Sequence, residues 1–302
     1  MAGGDAVIGE HETNVRGTNI HWLEAGSGDE PFLLIHGFGS STAKWLDVLP
    51  LLGAERRAIA LDLPGFGASD APAGSYSPAW LAGAVLAFCD EIGVARAIWT
   101  GNSLGGLIAI HAAAAEPERV AALIGVDAAL PTESAGGPSP RVLVSFVAPA
   151  LPVFGELIYR RYVQRPPEVL VRESLERNCA RPERISETTW AALVADARGR
   201  VGRPAHARAV VRANRQMMWA LSARREQTWR VLEAVRVPTL FIWGARDRLI
   251  SVDAGEQAVR RLPGSELVVI DDCGHNPQME CPDEFAAAAI AFARKVSARA
   301  DR

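Results

Sequence analysis

Hydrophobic and polar positions divide the chain into short apolar runs separated by amphipathic stretches. Phe32-Leu33-Leu34-Ile35, Arg57 to Leu61, Ala97 to Thr100 and Val120 to Val126 are near-continuous apolar runs of strand length. Such runs fit strands buried on both faces of a parallel sheet. Between them, Thr42 to Leu52, Ser77 to Ile92 and Gly106 to Ala115 read as helices, with Ser77 and Pro78 forming a start signal. Ahead of this alternation, Glu12 to Arg16 and Asn19 to Glu24 flank Arg16-Gly17-Thr18 as an antiparallel edge hairpin. The alternation breaks at Pro131. A Pro/Gly/Ser stretch, Glu133 to Pro140, precedes helical segments at Glu168 to Arg177, Glu187 to Ala197 and Ala207 to Leu221, with no buried strand. It resumes at Pro238 to Trp243, followed by a helix at Asp253 to Leu262, a strand at Glu266 to Ile270 and a last helix from Pro282 to about Val296. The pattern predicts an α/β fold: a mainly parallel, doubly wound sheet of about eight strands with an inserted helical cap. Its core would comprise 1–130 and 233–302, and the cap 131–232.

Charge sharpens that boundary. Residues 131–232 contain 17 arginines, no lysine and 9 acids, while the remainder has 15 basic and 26 acidic residues. The net charge of −3 over 302 residues argues against a nucleic-acid partner. The cysteines Cys89, Cys179, Cys273 and Cys281 show neither disulfide-framework nor metal-ligand spacing. There is no signal-peptide pattern and no bilayer-length apolar run, so a soluble cytoplasmic protein is expected.

The candidate chemistry centres on Gly101-Asn102-Ser103-Leu104-Gly105, which lies between an apolar run and an Ala-rich helix. A serine on such a strand-to-helix corner is exposed as a nucleophile while the flanking glycines avoid Cβ clashes. A serine hydroxyl needs a base to take its proton and an acid to orient that base. Asp247, after the Pro238 to Trp243 strand, and His275, after the Glu266 to Ile270 strand, follow Ser103 in the order such a site requires. Asp127, closing the Val120 to Val126 strand, is the substitute acid. Glu280 is read as an anchor of the His275 loop or a helix cap. His36 is read as a brace; His11, His21, His111 and His206 are read as structural or surface residues.

These motifs resemble the α/β-hydrolase superfamily. The resemblance rests on His-Gly-Phe-Gly at 36–39, Asp-Leu-Pro-Gly-Phe-Gly at 62–67 and Gly-Asn-Ser-Leu-Gly-Gly at 101–106. Trp-Gly-Ala-Arg-Asp at 243–247 and Cys-Gly-His-Asn-Pro-Gln-Met-Glu at 273–280 complete it. It implies an oxyanion hole from the backbone N–H groups of Phe38 and Leu104. Serine at 103 excludes, by resemblance, the branches that use an aspartate nucleophile. The expected activity is cofactor-free, metal-free hydrolysis of a small or medium acyl substrate, a carboxylic ester, through an acyl-enzyme. A carbon–carbon bond hydrolase of the ring-cleavage-product type is the alternative, although those relatives carry an aromatic where this chain has Asn276; a non-catalytic ligand-binding member is a further one. Pocket residues are expected at Trp190, Met217, Trp219 and Asn276, with Phe146, Phe154, Met218 and Trp229 as further cap candidates. The arginine excess is read chiefly as solvated helix surface, with an electropositive mouth for anionic acyl substrates as its alternative.

Overall fold

The computed structural model describes residues 7–132, 150–151 and 154–300. The stretch Glu133 to Pro140 and the pocket candidate Phe146 lie outside them. Eight strands form one sheet: β1 (Gly9–Val15), β2 (Thr18–Ala25), β3 (Phe32–Ile35), β4 (Ala58–Leu61), β5 (Ala97–Asn102), β6 (Val120–Val126), β7 (Thr239–Gly244) and β8 (Glu266–Ile270). Their spatial order is β1-β2-β4-β3-β5-β6-β7-β8. β1 pairs antiparallel with β2, and β2 with β4. All remaining pairings are parallel. The expected α/β sheet is therefore present, and β1 is the edge hairpin strand.

The continuous apolar runs are buried on both faces because successive side chains point to opposite sides. Leu33 and Ile35 of β3 enter one core cluster, and Phe32 and Leu34 enter the other. In β7, Phe241 and Trp243 divide from Leu240 and Ile242 in the same way. Helices α2 (Pro78–Glu91) and α3 (Leu104–Ala115) cover the first face, while α1 (Leu49–Gly53) and the C-terminal helix Pro282–Ala300 cover the second. The Ser77 hydroxyl accepts from Trp80 N–H and caps α2, as the sequence signalled. The stretch Thr42 to Leu52 departs from the single expected helix. It forms a 3-10 turn at Thr42–Trp45 and then α1, because Pro50 has no N–H for a continuous ladder and is tolerated only at a helix start.

Between β6 and β7 the described residues carry α4 (Gly155–Tyr162), α5 (Pro167–Asn178), α6 (Glu187–Gly199), α7 (Pro204–Leu221) and α8 (Arg225–Glu233). α5 and α6 make a small apolar cluster of their own around Val171, Leu175, Leu193 and Val194, closed by Ala43 and Met279. α7 and α8 instead join the cluster on the first face of the sheet through Ala213, Met217, Trp229 and Leu232. The charged side chains of α4 and α8 hide their apolar period: α4 buries only Gly155 and Tyr159, and α8 buries Thr228, Trp229 and Leu232. Both helices were missing from the sequence pattern for that reason. After β7 come α9 (Val252–Arg261), α10 (Pro277–Glu280) and α11 (Pro282–Ala300).

Candidate active site

Ser103 is the single residue between β5 and α3, with φ 55° and ψ −117°. A non-glycine residue in the left-handed region persists only where its surroundings hold it there. Here Ser103 N–H donates to Val126 O at 2.9 Å, and Ser103 O accepts from Ala129 N–H at 2.9 Å. Two flanking glycines make the corner possible. A Cβ on Gly101 would lie 2.2 Å from the Gly105 backbone, and one on Gly105 would lie 2.1 Å from Ile35 O. The α3 N-terminus starts at Leu104, bringing its positive end beside the serine.

Asp247 and His275 meet from the loops after β7 and β8. Asp247 Oδ1 accepts from Leu249 N–H at 2.7 Å and Ile250 N–H at 3.1 Å, which leaves Oδ2 to receive His275 Nδ1 at 2.6 Å. Both side chains are nearly inaccessible, at 0% and 4% exposure. A carboxylate on Nδ1 fixes the proton there, so Nε2 is the free acceptor of the neutral ring. The His275 loop is tied down through its backbone: His275 N–H donates to Asn178 O at 2.8 Å, and Asn102 Nδ2 donates to His275 O at 3.0 Å. Asn102, the residue before the serine, thus joins the two loops.

Asp127 lies behind this pair. Its Oδ1 accepts from Gly244 N–H at 3.0 Å, and its buried Oδ2 receives no N–H donor. Burial, with the charge of Asp247 next to it, holds its carboxyl well above the usual carboxylate range. Asp127, Asp247 and His275 each place one ligand-type atom within 4.8 Å of the others, the one such His/Cys/Asp/Glu group among the described residues. Two of its members, Asp247 and His275, are hydrogen-bonded to each other.

Glu280 is buried and accepts four backbone N–H groups. Ala180 (2.7 Å), Arg181 (3.1 Å) and Gly274 (3.1 Å) reach Oε2, and Asn276 (3.3 Å) reaches Oε1. It therefore fastens both sides of His275 to the segment after α5. His36 braces the loop at 37–39: Nδ1 donates to Gly37 O at 2.8 Å, and Nε2 accepts from Leu63 N–H at 3.1 Å. Burial lowers its pKa, in keeping with a neutral ring. Arg200, ion-paired to Asp196, donates to Gly39 O at 2.7 Å and holds the same loop from the far side.

Ser103, Phe38, His275 and Asn276 line one cavity of about 330 Å³, whose opposite wall comes from α4, α5 and α6. Leu104 is buried at the start of α3, beside the serine. Of the four expected pocket residues, Asn276 alone is in the lining. Trp190 packs in the α5–α6 cluster, and Met217 is buried in the main core beneath α7. Trp219 is 54% exposed with the Arg224 guanidinium 4.9 Å above its ring. Met218 is absent from the lining, Phe154 is 62% exposed, and Trp229 is a core residue. Large apolar residues in amphipathic helices go first to helix packing, which composition alone does not distinguish from pocket lining. Tyr159, Tyr162 and Leu170 supply the wall instead, and Lys44 reaches it from the 3-10 turn. Lys44 had a sequence signal, as one of two lysines in the chain, six positions after Phe38.

A family model described as the alpha/beta hydrolase fold matches residues 30–282. The chain belongs to the alpha/beta hydrolase family. The chain is 30% identical over 94% of its length to the dihydrolipoyllysine-residue acetyltransferase component of the acetoin cleaving system of Pseudomonas putida, covering 69% of that protein. It is 28% identical to a 2-hydroxy-6-oxononadienedioate/2-hydroxy-6-oxononatrienedioate hydrolase of Burkholderia vietnamiensis, over 91% of both chains. A thermophilic esterase from Thermogutta terrifontis is similar in structure, with a TM-score of 0.71 and 26% identity over 95% of this chain and 99% of that one. Among the described residues of this hydrolase, no helix is long and apolar enough to cross a membrane.

Proposed function

We propose that this hydrolase cleaves a carboxylic ester through an acyl-enzyme on Ser103. The observation that carries the reading is His275 Nδ1 on Asp247 Oδ2 at 2.6 Å, with His275 opening onto the same cavity as the strained Ser103. In this reading Ser103 Oγ attacks the ester carbonyl as His275 Nε2 takes its proton, and Asp247 stabilises the imidazolium that forms. The carbonyl oxygen gathers negative charge and is met by the N–H groups of Phe38 and Leu104, each worth roughly 2.7–4 kcal/mol to such a transition state. His275 then protonates the leaving alcohol. Water, deprotonated by the same ring, releases the acid and restores Ser103. Residues 131–232 act as a helical cap over the core formed by 1–130 and 233–302, and supply the wall that selects the acyl group.

Turnover of short 4-nitrophenyl esters tests this reading. Wild-type protein will hydrolyse them, and Ser103→Ala and His275→Ala will each lower kcat by at least about a thousandfold with the fold intact. A Ser103→Ala variant that retains wild-type kcat refutes it. The Burkholderia relative supports a second reading, hydrolysis of a carbon–carbon bond in a 2-hydroxy-6-oxo-dienoate. Turnover of such a dienoate with inert esters would select it. A folded protein that turns over neither, yet binds small acids, would be a ligand-binding member.

A further inference from the structure

Two cations enter the Ser103 cavity without a close ion-pair partner among the described residues, Glu280 and Glu173 acting on Lys44 and Arg177 only at longer range. Lys44 reaches it from the 3-10 turn Thr42–Trp45, and its Nζ donates to Asn276 Oδ1 at 2.8 Å. Arg177 reaches it from the end of α5, with Nε donating to the neutral Asn178 Oδ1 at 3.2 Å. Among the described residues neither Lys44 nor Arg177 belongs to an ion pair. The third cation in the wall, Arg200, is matched to Asp196. No aspartate or glutamate is among the described residues lining the cavity, and much of the rest is apolar, including Ile158, Leu170, Val171 and Leu193. Unmatched cations in such a place are unfavourable until an anion arrives.

We propose that Lys44 and Arg177 form an anion subsite that binds the free carboxylate of the substrate's acyl part, so that the natural substrates are monoesters of short dicarboxylic acids. This deepens the ester-hydrolase reading of Ser103 and rests on it. A carboxylate between the two cations gains charge-assisted hydrogen bonds in a partly dehydrated cavity, where they are stronger than in water. A neutral acyl chain of the same length leaves both cations desolvated and unpaired. Discrimination then follows from the penalty against the neutral chain as well as from attraction to the charged one. Asn276 positions Lys44 beside His275, joining the subsite to the reacting centre.

The Lys44 ammonium adds a pH signature. Burial pushes its pKa down to about 8, opposed by Cys179 and Glu280 and seconded by Arg200 and Arg177. The other titratable groups facing this region are His36, Tyr159, Tyr162, Glu173, Asp196 and His275. Charged Lys44 binds a carboxylate and neutral Lys44 does not, so affinity for the anionic acyl group falls as pH rises through about 8.

The test compares 4-nitrophenyl hemiglutarate with 4-nitrophenyl pentanoate, and measures glutarate binding by calorimetry, in wild type, Lys44→Met, Lys44→Arg and Arg177→Gln. Wild type will favour the hemiglutarate at least about tenfold in kcat/KM, and its KM for that ester alone will rise above pH 8. Lys44→Met and Arg177→Gln will each cut the preference and the glutarate affinity at least about tenfold, and Lys44→Arg will restore most of both. Equal kcat/KM for the two esters in wild type, or glutarate affinity unchanged in Lys44→Met, overturns the subsite. If neither ester is turned over but glutarate binds through Lys44, the ester reading fails while the subsite stands.

Discussion

Asp127 places a second carboxyl behind the Asp247–His275 pair, and two carboxyls so close in a buried site favour keeping one proton between them. The proton belongs on Asp127, which meets one backbone N–H donor where Asp247 meets two and the His275 ring, and this arrangement lets Asp247 orient His275. Asparagine reproduces a protonated aspartate at that position, with an oxygen for Gly244 N–H and an amide that can donate. Asp127→Asn will therefore fold and keep kcat within about threefold, while Asp247→Asn, which mismatches the His275 tautomer, will lose on the order of 10⁴. The stability effect has a definite sign. The unfolded Asp127 ionises near the ordinary carboxyl value and the folded one well above it, so over that interval the unfolded state binds fewer protons and wild-type stability falls as pH rises. The Tm of Asp127→Asn relative to wild type will rise from acid to neutral pH. A Tm difference that moves the other way would place the proton elsewhere.

At the scale of elements, the site depends on backbone approaches that leave no space for a side chain. Gly105→Ala puts a methyl 2.1 Å from Ile35 O, a backbone atom that cannot rotate away, so β3 and α3 must separate. That substitution will cost about 3 kcal/mol, the upper end for overpacking, measured by urea unfolding. The pattern G-x-S-x-G made this legible in the sequence, since its spacing encodes close approaches. Glu280 was legible only as an anchor; its reach across to Ala180 and Arg181 was not, because contacts at a separation of about a hundred residues leave no periodic trace. In Glu280→Gln an amide N–H₂ must face at least one backbone N–H. The expected cost is about 1–3 kcal/mol in stability, with a fall in kcat as the His275 loop loosens. Unchanged Tm and kcat would show that the remaining loop bonds suffice.

Across the whole molecule, the alternation of strands and helices and the buried apolar runs were readable because each depends on local spacing along the chain. The pocket wall was not, since Trp190, Met217 and Trp219 are drawn into packing or solvent by helix phases and crossing directions that composition does not encode. The arginine excess in 131–232 is partly surface charge and partly stitching to the sheet's loops. Arg203 donates to Gly67 O, Arg212 to Gly74 O, and Arg181 and Arg184 both meet Asp272. Ion pairs at Asp272 are exposed enough to be screened, so the Tm loss of Asp272→Asn will be small at low salt and will shrink further in 0.5 M NaCl. A loss that stays constant with salt would mean that hydrogen bonding dominates over charge there.

In the proposed mechanism Ser103 is the nucleophile, made available by its corner and deprotonated by His275. Reaction with a fluorophosphonate probe, followed by peptide mapping, tests that most directly. It predicts one phosphonylated residue, Ser103, with labelling abolished in Ser103→Ala and slowed at least about a hundredfold in His275→Ala. Labelling at another residue, or labelling at wild-type rate without His275, would contradict it.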